Sequence, residues 1–292
     1  MHGSEGFSRL ILGLWRIGTW GLSPGGLADL VQACLDLGID TFDLADIYHD
    51  HACEQMFGAA LQAAPGLRHR VRLITKCGIG LVSPARPQHR VKHYNTSRQH
   101  LVASAEQSLR ALGVERLDLL LIHRPDPLMD ADEVAEAFGL LRQAGKVAAF
   151  GVSNFQPAQL DLLQSRLEAP LVAHQMEVSL LQPQALSDGT LDQAQRLRIS
   201  PQAWSPLGGG GLSQTPPDSP LGRTLALLGR ELDATPEQLA IAWLLRHPAR
   251  IHPVLGSGNL DHLRRLAQAQ SLRLDRQHWF QLLEAATGRE VP

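Results

Sequence analysis

The sequence predicts an α/β fold, a (β/α)8 TIM barrel that occupies the whole chain, residues 1–292, as a single domain. Two observations predict it. Short apolar runs alternate with longer segments of helical periodicity, which is typical of repeated βα units and a parallel sheet. The length of 292 residues also suits one barrel of this kind, which commonly takes about 250 residues.

Eight apolar runs along the chain are rich in residues that favour strands. In chain order they are SRLILGLW near residue 10, IDTFDLA near 42, VRLITK near 74, LDLLLIH near 120, VAAFGVS near 150, LVAHQM near 173, ISPQAW near 202 and RIHPVLG near 253. Eight strands that are each followed by a helix close most naturally into a barrel.

Helix signals stand between these runs. The segment LADLVQACLDLG has apolar residues at helical spacing, begins after Ser23 and Pro24, and stops at Gly38. Two further segments behave in the same way, TSRQHLVASAEQSLRALG and TPEQLAIAWLLRHP. An open doubly wound sheet is the alternative arrangement, but the GxGxxG fingerprint of that fold is absent after the first strand, where the chain reads LGLWRIG.

Two long segments follow predicted strands and are expected to be loops. Residues 77–95 follow the third strand, and residues 208–220 follow the seventh. Because loops that follow barrel strands all lie on one face, and that face carries the active site in such barrels, we expect both loops on the functional face.

Composition and charge exclude several classes of protein. With 44% hydrophobic residues, 19% charged residues and a net charge of -2, the chain shows no sign of a nucleic-acid partner. Its three cysteines, Cys34, Cys53 and Cys77, are odd in number and lack metal-ligand spacing, which indicates a reducing compartment. The sequence shows neither an export signal nor an apolar stretch of about 18 residues, so we expect a cytoplasmic protein without a membrane partner.

Four residues capable of acid–base chemistry lie at the ends of neighbouring predicted strands. Asp43 and Tyr48 lie at the end of the second strand, Lys76 at the end of the third and His123 at the end of the fourth. Each alone has an ordinary structural explanation: an aspartate caps a helix, a lysine points into solvent, and a histidine is hydrogen-bonded in the core. Together at equivalent barrel positions, they favour an active site.

The four residue types also fit one reaction. A tyrosine hydroxyl, with an ordinary pKa near 10, is a poor proton donor at neutral pH, and the ammonium of Lys76 is expected to lower the pKa of Tyr48. Asp43 would keep Lys76 charged and in place, and His123 would donate a hydrogen bond to an oxygen on which negative charge develops. Such a set suits the protonation of a carbonyl oxygen.

The chain resembles the aldo-keto reductase superfamily, and its bacterial cytosolic oxidoreductase branch in particular. The motifs that carry the resemblance occur in family order over nearly the whole chain: LGLWRIGTWGLSP, FDLADIY, LITK, LDLLLIHRPDP, GKVAAFGVSNF, AHQMEVSL, AWSPLGGG and PVLGSGNLDHL. The resemblance implies that Tyr48 is the general acid in carbonyl reduction and that Asp43, Lys76 and His123 complete a catalytic tetrad.

The resemblance also implies an NADP cofactor and assigns residues to it. Ser153, Asn154 and Gln175 would surround the nicotinamide carboxamide, and Trp204 would stack on the nicotinamide ring. The backbone of a later segment would approach the pyrophosphate, and the turn between the last predicted strand and its helix would receive the adenosine 2'-phosphate. The residues assigned to these two segments are Ser205, Leu207, Gly208, Gly256, Ser257, Asn259 and His262. Trp20 and Arg124 are expected in the substrate pocket.

The chain departs from the family pattern at three places. His49 follows the predicted catalytic tyrosine where glycine is common, and we assign no metal to His49 and His51 because a third ligand is lacking. Arg124 follows His123 where an aromatic residue is common, which predicts a more polar substrate pocket. Gly256 and His262 replace a lysine and an arginine of many members, leaving Arg264 or Arg265 as further candidate 2'-phosphate contacts and predicting a modest preference for NADPH.

The sequence thus predicts an NAD(P)H-dependent oxidoreductase that reduces an aldehyde or ketone, a small-molecule carbonyl substrate, to an alcohol. One alternative is an NADP-binding, redox-sensing regulatory subunit that resembles channel beta subunits. A phosphate-binding barrel lyase or isomerase would explain GSGN before a helix, but not the order of the other motifs. The natural substrate and the oligomeric state stay open.

Overall fold

All eight predicted strands are present in a closed parallel barrel. The computed structural model describes residues 6–84 and 86–291. In chain order the strands are β1 (Ile11–Gly13), β2 (Thr41–Asp43), β3 (Arg72–Cys77), β4 (Ile79–Gly80), β5 (His93–Tyr94), β6 (Leu117–Ile122), β7 (Val147–Ser153), β8 (Ala173–Glu177), β9 (Ser200–Trp204) and β10 (His252–Leu255). The barrel order is β1-β10-β9-β8-β7-β6-β3-β2, so the fold class predicted from the sequence is confirmed.

The barrel closes through β1, which pairs with both the last strand and the second. Ile11 lies beside Val254 of β10 on one side and beside Thr41 of β2 on the other. The strands β4 and β5 lie outside the barrel and form a small antiparallel pair, with Ile79 opposite Tyr94. This pair is built from the long loop predicted after the third strand.

Helices follow the strands around the barrel. They are α1 (Pro24–Asp36), α2 (Cys53–Ala63), α3 (Arg98–Leu112), α4 (Ala131–Gln143), α5 (Pro157–Gln164), α6 (Thr190–Leu197), α7 (Pro220–Glu231), α8 (Pro236–Arg246), α9 (Leu260–Ala267) and α10 (Arg276–Thr287). The predicted start signals are used, because Ser23 accepts a hydrogen bond from Gly26 N at α1 and Thr235 accepts one from Gln238 N at α8. Gly113 ends α3 in the left-handed conformation.

Two groups of buried side chains hold the barrel and its helices together. A small group joins side chains of five strands: Ile11, Ile74, Leu119, Leu121, Ala173 and Val254. A larger group lies between strands and helices, and it includes Leu73 and Leu120, the chain neighbours of Ile74 and Leu119. This alternation follows the two-residue period of a strand. Each fully buried leucine or isoleucine contributes about 1.5–3 kcal/mol, which keeps the strand ends rigid enough to position a site.

Within the part of the chain that the structure describes, no helix combines the length and the apolar character that crossing a membrane requires.

Candidate active site

A cavity of about 710 Å³ opens at the carboxyl ends of the barrel strands, a size typical of small-molecule and cofactor sites. Both long segments predicted to be functional loops contribute to its wall, Leu81 and Lys92 from the first and Gly210 and Ser213 from the second. Most of the residues singled out in the sequence also line it: Asp43, Tyr48, His123, Arg124, Ser153, Asn154, Gln175, Trp204, Ser205, Leu207, Gly256, Ser257 and His262. Lys76 is fully buried behind this wall.

Lys76 is the centre of a buried hydrogen-bond network. Its Nζ donates to Asp43 Oδ2 at 2.7 Å, to the carbonyl oxygen of Leu44 at 2.8 Å and to the hydroxyl of Tyr48 at 3.1 Å. The three donors of an ammonium are thereby satisfied in a fixed geometry. The β2–β3 pairing produces this arrangement, because it places the ends of the two strands side by side, with Asp43 next to Ile74.

Charge interactions in this network oppose the effect of burial on the pKa of Lys76. Burial alone would lower the pKa of Lys76, but the neighbouring Asp43 and Tyr48 outweigh it and raise that pKa above its ordinary value. Lys76 is therefore an ammonium at neutral pH. The sequence predicted a lowered pKa for Tyr48, and this prediction differs from the structure. Burial raises the pKa of Tyr48 above 10.0, and the charge of Lys76 only partly offsets this increase. The effect of Lys76 has the expected sign, but burial is larger.

His123 faces Tyr48 as a neutral imidazole. Burial, together with the positive charges of Lys76, Arg124 and Lys92, lowers the pKa of His123 well below 6.5. The ring centroids of His123 and Tyr48 lie 5.7 Å apart in an edge-to-face arrangement. The Nδ1 atom of His123 is buried and has no hydrogen-bond partner among the described residues. A neutral imidazole carries a single N–H, so this ring can act as one hydrogen-bond donor beside the tyrosine hydroxyl.

Amide side chains connect the acid–base network to the neighbouring strands. Gln175 Nε2, from β8, donates to Asp43 Oδ1 at 2.8 Å and to Gln202 Oε1 at 3.1 Å. Both carboxylate oxygens of Asp43 are thus engaged, one by Lys76 and one by Gln175. This fixes the carboxylate that holds the ammonium.

A second chain of hydrogen bonds orients Trp204. Asn154 has a left-handed φ of 62° and donates from Nδ2 to Ser153 Oγ at 2.7 Å. Its Oδ1 accepts a hydrogen bond from Trp204 Nε1 at 2.9 Å. The guanidinium of Arg124 lies 5.7 Å from the centroid of the Trp204 ring. The indole is therefore fixed at its edge, with a cation over one face.

In the segment after β9, glycine residues expose their backbone to the cavity. Ser205, Gly208, Gly209 and Gly210 all have left-handed φ values, between 49° and 104°. Gly209 and Gly210 line the cavity, and Arg16 Nη2 donates to the carbonyl oxygen of Gly209 at 3.2 Å. Glycine suits such positions because it has no side chain that would strain the backbone or keep a ligand away.

The wall formed by β10, α8 and α9 differs from the sequence expectation. Asn259 caps α9 through His262 N at 2.9 Å and is not among the residues that line the cavity. His262 Nδ1 lies 3.1 Å from Ser257 Oγ, and His262 Nε2 lies 3.1 Å from Glu237 Oε2. Arg264 pairs instead with Asp261 at 2.9 Å on the exposed side of the helix. Arg265 is also exposed, and neither arginine is in the cavity wall among the residues described.

The aromatic wall is also placed differently from the prediction. Trp20 does not line the cavity: it packs beside Gly258, where a Cβ would lie 2.4 Å from its ring. Gly208, which the sequence assigned to the cofactor, is likewise not among the described residues that line the cavity, and it packs against Leu181. Trp15, which lies in the same segment between β1 and α1, lines the cavity instead and is 60% exposed.

Five charged or aromatic residues of the cavity wall were not singled out in the sequence: Trp15, Arg16, Lys92, Tyr94 and Glu237. Lys92 and Tyr94 lie in the predicted functional loop, so the loop itself was the available signal. Glu237 gave no signal, because a glutamate in the first turn of a helix is ordinary.

The segment after Tyr48 has a local structural role. His49, Asp50 and His51 all have left-handed φ values, and His51 Nδ1 lies 2.7 Å from the carbonyl oxygen of Asp46. Burial, followed by the charge of Glu54, raises the pKa of Asp46 well above its ordinary value. Over the described ranges, no three histidine, cysteine or acidic residues are grouped as metal ligands.

Comparisons with known proteins identify the family of this chain. The sequence profile of the Aldo/keto reductase family matches residues 9–286. Oxidoreductase YdhF of Escherichia coli K12 is 50% identical over 287 residues, which cover 98% of this chain and 96% of that protein. A 6-dehydroglucose reductase of Agrobacterium fabrum C58 is 47% identical over 288 residues, covering 97% of this chain and 96% of that one.

Solved structures have the same fold. The thermostable aldo-keto reductase Tm1743, in complex with the inhibitor epalrestat, matches with a TM-score of 0.81 at 25% identity over 98% of both chains. An aldo/keto reductase from Klebsiella pneumoniae, in complex with NADP and acetate, matches with a TM-score of 0.78 at 24% identity, over 96% of this chain and 92% of that one. The family match and these relatives place the chain among the oxidoreductases. The chain belongs to the aldo/keto reductase family.

Proposed function

We propose that this protein is a carbonyl reductase that converts an aldehyde or ketone to an alcohol with NADPH, using Tyr48 as the general acid. One observation carries the proposal: the buried ammonium of Lys76 donates a hydrogen bond to the hydroxyl of Tyr48 on the cavity wall while Asp43 holds it from behind. A hydroxyl with a cation at this distance can release its proton to a substrate oxygen, because the phenolate left behind is stabilised.

Carbonyl reduction needs a hydride and a proton. NADPH, when bound, supplies the hydride. Tyr48 supplies the proton: burial raises the pKa of its hydroxyl, so the group is protonated at neutral pH and ready to donate. The Lys76 ammonium lowers the cost of the phenolate that forms, and Asp43 keeps that ammonium in place.

His123 is a hydrogen-bond donor to the same substrate oxygen. Its low pKa makes it neutral, so it does not compete with Tyr48 as an acid. An N–H beside the tyrosine hydroxyl can stabilise the negative charge that develops on the carbonyl oxygen as the hydride arrives. The edge-to-face contact of the two rings supports this shared role.

The residues around the cavity fit a nicotinamide dinucleotide. Trp204 offers a flat face whose orientation is fixed by Asn154. Ser153, Asn154 and Gln175 offer hydroxyl and amide groups suited to a carboxamide. The exposed backbone at Gly209 and Gly210 permits close approach of a pyrophosphate.

The substrate is proposed to be a polar aldehyde such as a sugar derivative. Arg124, Lys92 and Tyr94 line the cavity, and all three offer hydrogen-bond donors to substrate hydroxyl groups. The relative from Agrobacterium fabrum is named a 6-dehydroglucose reductase, which makes 6-dehydroglucose the first compound to test.

A screen of NADPH oxidation by the purified protein tests the proposal. The panel contains 6-dehydroglucose, aliphatic aldehydes of similar size and ketones, each with NADPH and with NADH. We expect the polar aldehydes to be reduced fastest, and the rate of reduction to fall about 10²–10⁴-fold in Tyr48→Phe. Tight NADPH binding without oxidation by any carbonyl compound would instead support the regulatory-subunit alternative.

A further inference from the structure

One acid in the cavity wall has no part in the proton-transfer network. Glu237 lies in the first turn of α8, and its side chain is 33% exposed. Its Oε2 lies 3.1 Å from His262 Nε2, while the other ring nitrogen of His262 lies 3.1 Å from Ser257 Oγ. Both nitrogens of the imidazole are therefore engaged by protein groups, and one of those groups is a carboxylate.

This section of the wall offers no surplus of positive charge. The described lining residues from β10, α8 and α9 are Glu237, Val254, Leu255, Gly256, Ser257, His262 and Leu266. Among them, His262 is the only group able to become a cation and Glu237 is the only acid. The carboxylate of Glu237 would balance a positive charge on His262, so this section of the wall has no net positive charge.

The two nicotinamide dinucleotides differ only at the adenosine 2' position. A 2'-phosphate is a dianion that binds well to arginine and lysine, and a nearby carboxylate repels it. A 2'-hydroxyl can instead donate a hydrogen bond to a carboxylate, as it does to the acidic residue of Rossmann dinucleotide-binding folds. The pyrophosphate is common to both cofactors, so the backbone at Gly209 and Gly210, to which it is assigned, favours neither.

We infer that Glu237 determines cofactor specificity, by weakening NADPH binding relative to NADH so that the protein can use both. This rests on the proposed function, in which Trp204, Asn154 and Gln175 hold the nicotinamide end of the cofactor beside Tyr48. The adenosine end is then assigned to the wall of Ser257 and His262, beside the N-terminal end of α9, where backbone N–H groups suit phosphate groups.

A purely structural role for Glu237 predicts a different result. An acid at the start of a helix interacts favourably with the helix dipole whatever lies in the cavity. In that case removing its charge lowers the stability of α8 slightly and leaves the ratio of the two dinucleotide affinities unchanged.

The experiment measures dissociation constants of NADP⁺ and NAD⁺ by quenching of tryptophan fluorescence, in the parent and in Glu237→Gln. The matched control is Glu231→Gln, which removes a carboxylate that lies 3.1 Å from His278 Nε2 in another glutamate–histidine pair, outside the residues that line the cavity. We expect Glu237→Gln to tighten NADP⁺ binding about tenfold and to leave NAD⁺ binding unchanged or weaker. Glu231→Gln should change neither constant.

Circular dichroism and thermal unfolding establish that each variant is folded. An unchanged ratio of NADP⁺ to NAD⁺ affinity in folded Glu237→Gln overturns the inference and leaves the proposed reductase function intact. If the parent binds neither dinucleotide, the proposed function fails, and the role assigned to Glu237 fails with it.

Discussion

The two ends of the proposed cofactor site are built in different ways. At the Tyr48 end, Lys76 is fully buried and its Nζ donates three hydrogen bonds, to Asp43, Leu44 O and Tyr48. At the other end, the Glu237–His262 pair has side chains that are 33% and 25% exposed. The first network excludes water and holds one geometry, whereas the second is screened by solvent.

The two ends differ in how much a substitution of their residues costs in stability. A buried pair is costly to alter, because removing one partner leaves an uncompensated charge in a medium of low dielectric constant. A half-exposed pair is worth little to the fold, and its residues can change at small cost. In the proposed function, the reaction depends on the buried end and the choice of cofactor depends on the partly exposed end.

The largest effect is expected from Tyr48→Phe. This change removes the proton donor and keeps the ring, so kcat/KM for an aldehyde should fall about 10²–10⁴-fold while the dissociation constant for NADP⁺ stays the same. The comparison variant is Tyr94→Phe, which removes the chain's other tyrosine hydroxyl. Because Tyr94 is assigned only to substrate binding, this change should raise KM and leave kcat almost unchanged. A Tyr48→Phe protein that retains activity within a few-fold of the parent would show that another group donates the proton.

Lys76→Met should affect both the chemistry and the fold. Deleting the cation removes the interaction that favours the phenolate, so the pKa of Tyr48 should rise further and the pH profile of reduction should shift to higher pH. The buried carboxylate of Asp43 also loses its charge partner, which should lower the free energy of unfolding by about 3–5 kcal/mol.

The measurements for Lys76→Met are a pH–rate profile and urea unfolding. The double variant Asp43→Asn with Lys76→Met removes both charges and should recover part of the stability without recovering activity. If the pH profile is not shifted and only NADPH binding becomes weaker, Lys76 acts in cofactor binding and not in proton transfer.

Arg124→Met is expected to have a smaller effect, because Arg124 lies on the open side of the network. Removing this charge takes away a hydrogen-bond donor to the substrate, and it should raise KM for a sugar aldehyde about tenfold with little change in kcat. It should also move the pKa of His123 up toward its ordinary value, since Arg124 contributes to lowering it. Measuring KM for a sugar aldehyde and an aliphatic aldehyde in parallel checks the first point, because the aliphatic compound should respond less. Titration of His123 by NMR checks the second.

The sequence predicted the barrel and its buried network because strand positions determine both. An apolar run specifies where a strand lies, and parallel pairing then brings strand ends together, so the positions of Asp43 and Lys76 at two neighbouring strand ends already imply that they lie side by side. The fold is confirmed. The catalytic and binding roles stay predictions, although the structure gathers most of the assigned residues around one cavity.

The remaining features depend on the packing of segments that are distant in sequence. Glu237 meets His262 across two helices, and Trp15 rather than Trp20 faces the cavity because Trp20 packs on Gly258. The net pKa of Tyr48 depends on how much water the fold excludes, which periodicity does not reveal. Each of these differences concerns the environment of a residue rather than its place in a strand or loop.

The smallest expected effect concerns His262→Arg, and it tests the exposed end directly. An arginine at this position would add a permanent cation toward a 2'-phosphate. In the parent background, however, Glu237 lies 3.1 Å from the His262 ring and would pair with the new guanidinium, so NADP⁺ binding should tighten only about twofold. In the Glu237→Gln background the same arginine is free to bind phosphate, and the gain should reach about tenfold beyond Glu237→Gln alone. Fluorescence titration of the four proteins with NADP⁺ and NAD⁺ completes a double-mutant cycle, whose coupling energy measures the opposition between Glu237 and a cation at residue 262. Strictly additive effects would mean that the two side chains act on the cofactor independently, despite their contact.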